Sequence, residues 1–405
     1  MPDRLTADWL ASYLELTANL EAPEATHLWT ALVLISAATR RKIYLDMNYG
    51  KIYPNLYVIM VAESARARKS TAMDFGHDLL VETFPDIRIM QDSMTSQGLI
   101  KSLNHKVSII KGDKIEEELR SDVTIFADEI ANLFSYERTR SAQMVIFLTT
   151  AYNCRAIYDH TTVRDSTIRL YNLYPVLIGC TDPRNLKVLP DDAVAGLTGR
   201  LIWVIESERR KNNPGWKHKN STELLRLQCL REYLIHDLKR ISNLQGEMIV
   251  EQEAQQVYSN WYEVLSMKQS PDPTTDAFYY RCHVTVLRVA TLLSLATSDN
   301  LVVTSKHMRG AITLIEAQLP EVKRVALWSG TSQYEQHRAK FIHFLQNSPH
   351  GVSSRRRLLK YMGIPVEEFD KLVATLVQDG SIEVVGKVGS EIVIKLTKQG
   401  FGQEK

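Results

Sequence analysis

Four short apolar runs, Asn55–Val61 (NLYVIMV), Asp122–Ala127 (DVTIFA), Pro175–Gly179 (PVLIG) and Leu201–Ile205 (LIWVI), recur between stretches of helical periodicity such as Ser70–Glu82 and Ser141–Ala151. Runs that are continuously apolar, rather than alternating, suit strands buried on both faces. A parallel sheet covered by helices on each side meets that requirement. The pattern predicts an α/β domain over residues 41–208. A chain of 405 residues holds more than one such domain.

Residues 1–40 read as a helical segment. Trp9, Leu10, Tyr13, Leu14 and Leu16 fall at helical spacing, and Pro23 opens a second periodic run. The longest apolar stretch, Leu28–Ala38, is interrupted by Thr30 and Ser36 and is too short to span a bilayer. The start, MPDRLTADWL, has no apolar signal-peptide core. Cys154, Cys180, Cys229 and Cys282 form no CxxC and have no His at metal-ligand spacing, so buried free thiols are expected. Together these features predict a soluble cytoplasmic protein without a membrane partner. The basic, Pro-Gly-containing segment Glu208–Ser221 reads as an exposed connection. Four helical patterns follow, Thr222–Lys239, Glu251–Met267, Thr275–Ala296 and Ser305–Ala317, and define a helical domain over 209–330. Residues 331–405 read as helices Tyr334–Gln346, Ser354–Tyr361 and Val366–Gln378, then strands Ile382–Val385 and Ile392–Leu396. That is the layout of a winged helix-turn-helix.

Two segments carry the chemistry. After the first apolar run comes Ala62-Glu63-Ser64-Ala65-Arg66-Ala67-Arg68-Lys69-Ser70-Thr71, and then a helix. A strand, a loop and Lys-Ser-Thr at a helix start is the arrangement of a P-loop. The helix N–H groups face the phosphates, the Lys reaches the terminal ones and the hydroxyl binds Mg²⁺. The loop holds no glycine, and Arg68 stands where the standard pattern has one; the bland alternative is a basic loop capping a helix. The second apolar run ends in Asp128-Glu129. One carboxylate at such a strand end can hold Mg²⁺ through water while its neighbour activates the attacking water. The alternative is a helix N-cap. Thr181, at the end of the third run, is in a position to approach the attacking water. Arg200, just before the fourth run, can reach a neighbouring subunit's phosphates or form an edge salt bridge.

The run YPNLYVIMVAESARARKSTA, then IFADEIANLF, IGCTDPRNLKVLPDDAVAGLTGRLIWV and ERRK, resembles a family of phage and mobile-element helicase-like P-loop ATPases, over about residues 10–330. More distantly, the chain is similar to the minichromosome-maintenance branch of AAA+ helicases. Arg281 and Arg288 stand seven apart in YYRCHVTVLRVA, and Val303–Ile312 follows. The resemblance implies an AAA+-like sheet, a helical lid and a winged helix. It implies that Ala65 takes the place of the family's loop glycine, and that Ala65, Arg68, Lys69, Ser70, Thr71 and Arg281 bind ATP. It makes Ser70 and Asp128 the Mg²⁺ ligands, and Glu129, Thr181 and Arg200 the catalytic groups, with Arg200 as arginine finger and Arg281 as sensor-2 arginine. Ala156–Tyr171 alternates about a turn at Thr162–Asp165, which predicts a β-hairpin. In the helicases such a hairpin carries a basic residue to DNA, a role that would fall to Arg164; the alternative is an ordinary surface hairpin.

The charge is balanced, 49 Lys and Arg against 47 Asp and Glu, so no global field draws the chain to nucleic acid. Local clusters at Arg66–Lys69, Arg209–Lys219 and Arg355–Lys360 remain. The first suits phosphate. The others are candidate DNA contacts, with Arg355, Arg356, Arg357 and Lys360 near the second winged-helix helix. Its third helix starts with Glu367-Glu368, which disfavours base reading, so non-specific backbone contact or protein contact is expected, with single-stranded or forked DNA as the nucleic-acid partner. The resulting expectation is an ATP-driven DNA helicase or translocase of phage or mobile-element replication, acting as a ring, six subunits being expected, with a primase or initiator as a further candidate partner. An initiator or helicase loader that binds DNA without unwinding, and a nucleotide-independent scaffold, are the competing readings.

Overall fold

The computed structural model describes residues 3–91, 95–111, 114–134, 138–161, 167–188, 196–213, 221–267, 275–329, 333–388 and 391–397. Two short helices, α1 (Trp9–Leu16) and α2 (Glu24–Thr39), precede a hairpin of β1 (Ile43–Met47) and β2 (Gly50–Ile52). Then come β3 (Tyr57–Val61), α3 (Lys69–Thr83), β4 (Ile89–Gln91), β5 (His105–Lys111), β6 (Lys114–Ala127), β7 (Ile157–His160), β8 (Ile168–Tyr171), β9 (Leu173–Thr181) and β10 (Ile202–Ile205). Five of these strands make a parallel sheet in the order β10-β3-β9-β6-β4, and β5 pairs antiparallel with β6. The protein is therefore mixed α/β. Every residue of β3 and β9 is buried, as continuous apolar runs require, whereas β7 and β8 keep exposed and half-buried positions.

All four expected strands form. The third extends beyond its apolar run at both ends, and the second begins at Lys114, ahead of the apolar run. The two strands of the hairpin expected over 156–171 also pair, with Ile157 opposite Tyr171 and His160 opposite Ile168, while the turn expected at Thr162–Asp165 lies outside the described residues. Helix α2 is buried on nearly all sides, from Thr26 to Thr39, which is why its sequence is apolar without a polar face. Among the described residues no helix is long and apolar enough to cross a membrane. The helices Ser221–Asn243, Gln252–Met267, Cys282–Thr297 and Ser305–Glu316 share one hydrophobic core with α1, α2 and the sheet. The helical pattern expected over Thr275–Ala296 is broken into Asp276–Tyr279 and Cys282–Thr297, with Arg281 at the joint. Cys154, Cys180 and Cys282 are buried free thiols as expected, but Cys229 is exposed, because its position on the long helix Ser221–Asn243 faces solvent.

Arg288 ties this core together. Its guanidinium is buried, donates to the carbonyl oxygens of Asn55 and Tyr152 at 3.1 Å each, and lies 3.8 Å from the centre of the Tyr152 ring. It thus links the helix Cys282–Thr297 to the start of β3. Arg288→Met keeps much of the volume but leaves two carbonyls without their charged donor. The expected loss is about 3 kcal/mol, read as a lower urea midpoint followed by tryptophan fluorescence. A midpoint unchanged from wild type would refute the tie.

Residues Met1–Trp328 and Ser329–Lys405 are separate compact units. The second has helices Gln333–Gln346, Arg355–Met362 and Val366–Gln378 and an antiparallel sheet with Glu391–Leu396 between Val352–Ser354 and Ile382–Val388. The strand Val352–Ser354 is additional to the two expected strands. Its core is Phe341, Leu345, Leu358, Phe369, Leu372, Leu376 and Ile394. Ser354 caps the second helix by accepting from the Arg357 N–H, and Gly363, at φ 66°, ends it.

Candidate functional site

In a parallel sheet all the strands end on one edge, and this edge gathers the loop Ala62–Arg68, Asp128-Glu129, Thr181-Asp182 and the segment after β10. The loop supplies two left-handed residues without a glycine. Ala65 has φ 64° and Arg68 has φ 53°, ψ 30°, the latter at the N-cap of α3. Each costs roughly 1–2 kcal/mol for an L-residue. These are the two positions at which the sequence departs from glycine, so the loop takes the glycine geometry with side chains attached. Lys69 Nζ crosses the loop to donate to the Ala62 carbonyl at 2.9 Å. A small cavity of about 160 Å³ opens between Glu63, Ser64, Arg68, Lys69, Ser70 and Thr71, at the N-terminus of the 15-residue α3.

Asp128-Glu129 does not lie directly beside the loop strand. β9 lies between β3 and β6, so the carboxylates sit two strands away, roughly 10 Å. That gap is wide enough for a phosphate group and a cation between Lys69 and Asp128. Beneath it lies Cys180, whose thiol is pushed by burial to about 12, with the Lys69 ammonium lowering it and the Asp128 carboxylate raising it. Asp74, on α3, is raised by burial and by the nearby Asp128 charge. The charges of Lys69, Asp128 and Asp74 all act on the Cys180 thiol. One hydroxyl and one carboxylate suit an Mg²⁺ that arrives with phosphates. Among the described residues no group of three or more His, Cys, Asp or Glu side chains converges on a metal position.

Glu129 caps the short helix Ile130–Leu133, accepting on Oε1 from the Ala131 N–H at 3.3 Å. The same oxygen accepts from the Thr181 hydroxyl at 2.7 Å, and Oε2 accepts from Asn185 Nδ2 at 3.0 Å. The capping alternative is therefore real for Glu129, and the carboxylate is gripped from both sides as well. Thr181 acts on Glu129 directly. Asn185, on the 3₁₀ turn Pro183–Val188, is a partner that the sequence reading missed. Asp182 was missed too. Buried, it accepts from the Ser64 N–H of the loop at 3.2 Å and from Arg184 at 2.8 Å, and the Arg184 guanidinium is the main cause holding its carboxyl well below the usual range.

The segment Glu208–Asn213 is not a simple exposed connection. Arg209 pairs with Glu21 at 3.1 Å, Arg210 donates to the Leu20 carbonyl at 3.0 Å, and the Asn213 N–H donates to Glu21 at 2.9 Å. Glu21 also pairs with Arg68 at 2.8 Å. These bonds draw the segment onto the N-terminal turn and around a basic cleft of about 620 Å³ that shares Ser64, Ala65 and Arg68 with the loop. The described part of this basic cluster thus faces the loop.

Arg200 and Arg281 lie at the other edge of the sheet. Arg200 precedes β10, whose first residue pairs with Val58 near the start of β3. Burial lowers the Arg200 pKa, and the neighbouring Arg281 and Arg288 charges add to this. Gly199 permits the approach: a Cβ there would lie 2.2 Å from the Ala277 carbonyl and 3.0 Å from Arg281 Nη1. The five-residue β3 puts this edge roughly 16 Å from the loop. Arg281 therefore does not join its own chain's Lys69.

Of the DNA-binding candidates, Arg164 lies outside the described residues. Arg355 is engaged within its own unit, 2.6 Å from Asp370 and over the Phe369 ring, tying two helices together. Arg356, Arg357 and Lys360 are exposed on the same helix. No model of a known protein family matches the chain, and no curated protein matches its sequence.

Proposed function

We propose that the chain is an ATP-dependent DNA helicase or translocase that works as a ring, expected to be hexameric, in phage or mobile-element replication. The observation that carries this reading is the division of charged groups between the two sheet edges. Lys69, Ser70, Asp128 and Glu129 gather at one, and Arg200 and Arg281 at the other. Among the described residues, Arg200 and Arg281 lie across the sheet from their own chain's loop. Arranged head to tail, each subunit presents its arginine edge to the next subunit's loop. In this reading α3's first N–H groups and Lys69 bind the phosphates, and Ser70 and Asp128 would hold Mg²⁺. That cation, when bound, withdraws charge from the terminal phosphate. Glu129 orients water and takes its proton, and the partner's guanidinium stabilises the charge that develops. The left-handed Ala65 and Arg68 support a P-loop role. The three-helix, antiparallel-sheet layout of the second unit supports a winged helix that meets DNA phosphates through Arg356, Arg357 and Lys360.

The test is calorimetric titration of the wild-type protein with ATP·Mg²⁺, followed by strand displacement on a radiolabelled forked duplex. The expected result is ATP binding, DNA-stimulated hydrolysis and ATP-dependent displacement. Hydrolysis without displacement would replace this reading by the loader. Absence of ATP binding would replace it by the scaffold.

A further inference from the structure

Resting on the reading of Glu129 as the water-activating base, we propose that Asn185 is a positioning residue that fixes the Glu129 carboxylate and ties its orientation to the loop. A carboxylate's terminal torsion is broad and nearly two-fold, so a donor on one oxygen leaves its plane free to swing. Here each oxygen has its own side-chain donor, Thr181 at 2.7 Å on Oε1 and Asn185 at 3.0 Å on Oε2. The two donors have different supports. Thr181 ends the fully buried β9, which is a rigid mount. Asn185 stands on a 3₁₀ turn whose placement runs through Asp182. The Asn185 N–H donates to the Asp182 carbonyl at 2.9 Å, and the Asp182 carboxylate accepts from the Ser64 N–H of the loop. Arg184 also holds that carboxylate, its Nε donating to Oδ1 and its Nη2 to Oδ2, each at 2.8 Å. The chain of contacts runs Ser64, Asp182, Asn185, Glu129. A shift of the loop as it closes on phosphate is passed to Oε2 through this chain, while Thr181 holds Oε1 still. The carboxylate plane is then set by the state of the loop.

The test compares Asn185→Ala with Asn185→Asp, which keeps the shape but replaces the donor by a carboxylate facing Glu129. The expected result is a kcat for ATP hydrolysis lower by about tenfold in Asn185→Ala and lower still in Asn185→Asp, with KM for ATP within about twofold of wild type. A residue that only fills space gives the reverse order, with the isosteric Asp closer to wild type, and that order would overturn the proposal. A readout without nucleotide accompanies it. The melting-temperature shifts of Asn185→Ala and Glu129→Ala are expected to be non-additive, and strict additivity would overturn the contact's role. Glu129→Gln separates the two layers of inference. Turnover retained in Glu129→Gln removes the base assignment itself. An inactive Glu129→Gln beside a wild-type-like Asn185→Asp removes only the role of Asn185.

Discussion

Lys69→Ala is expected to abolish ATP·Mg²⁺ binding, and Glu129→Gln to keep binding while lowering turnover by about 10²- to 10⁴-fold. The two substitutions separate because the groups do different work. Lys69 Nζ is held across the loop on the Ala62 carbonyl, the position from which an ammonium meets a phosphate entering the 160 Å³ cavity. Its loss removes attraction from ground state and transition state alike. Glu129 sits two strands away, outside that cavity's lining, so its amide analogue leaves phosphate binding intact and removes only the proton acceptor. Calorimetry and phosphate release on the two purified variants check this. Wild-type-like turnover in either one would sink the assignment.

How much of this was legible from residues alone follows from how far apart the partners are. β3, β6, β9 and β10 were readable because burial on both faces leaves a continuous apolar run. β4 was not, since two half-buried residues and one exposed residue at the end of the sheet order carry no such signature. The β5–β6 hairpin was also missed. Its strands are rich in Lys and Glu, although Gly112-Asp113 between Lys111 and Lys114 is a two-residue turn signal that could have found it. Lys69, Ser70 and Asp128 could be named because their chemistry is local to a strand end. Asn185 and Glu21 could not, because each meets its partner only through the packing of distant turns. The paired arginines, Arg281 and Arg288, show the same limit. Their spacing was visible, but only the fold separates a buried tie at Arg288 from an exposed guanidinium at Arg281.

Arg200→Ala is expected to lower turnover by about 10³- to 10⁵-fold, the range of an arginine that stabilises phosphoryl-transfer charge. The size of the loss alone does not say whose site the arginine serves; mixing does. An Arg200→Ala subunit has an intact loop, and a Lys69→Ala subunit has an intact arginine edge. If the arginine acts across an interface, randomly mixed rings place one beside the other correctly at about a quarter of the interfaces. Activity should then reappear in a mixture of two inactive proteins. Arg281→Ala should behave as Arg200→Ala does, since Arg281 lies near enough to Arg200 for its charge to lower the Arg200 pKa. If Arg200 instead served its own loop, every subunit in the mixture would lack one essential group and the mixture would stay as inactive as its parts. Subunit exchange measured in parallel by fluorescence transfer makes that silence decisive: exchange without recovered activity would overturn the shared site and the ring that depends on it.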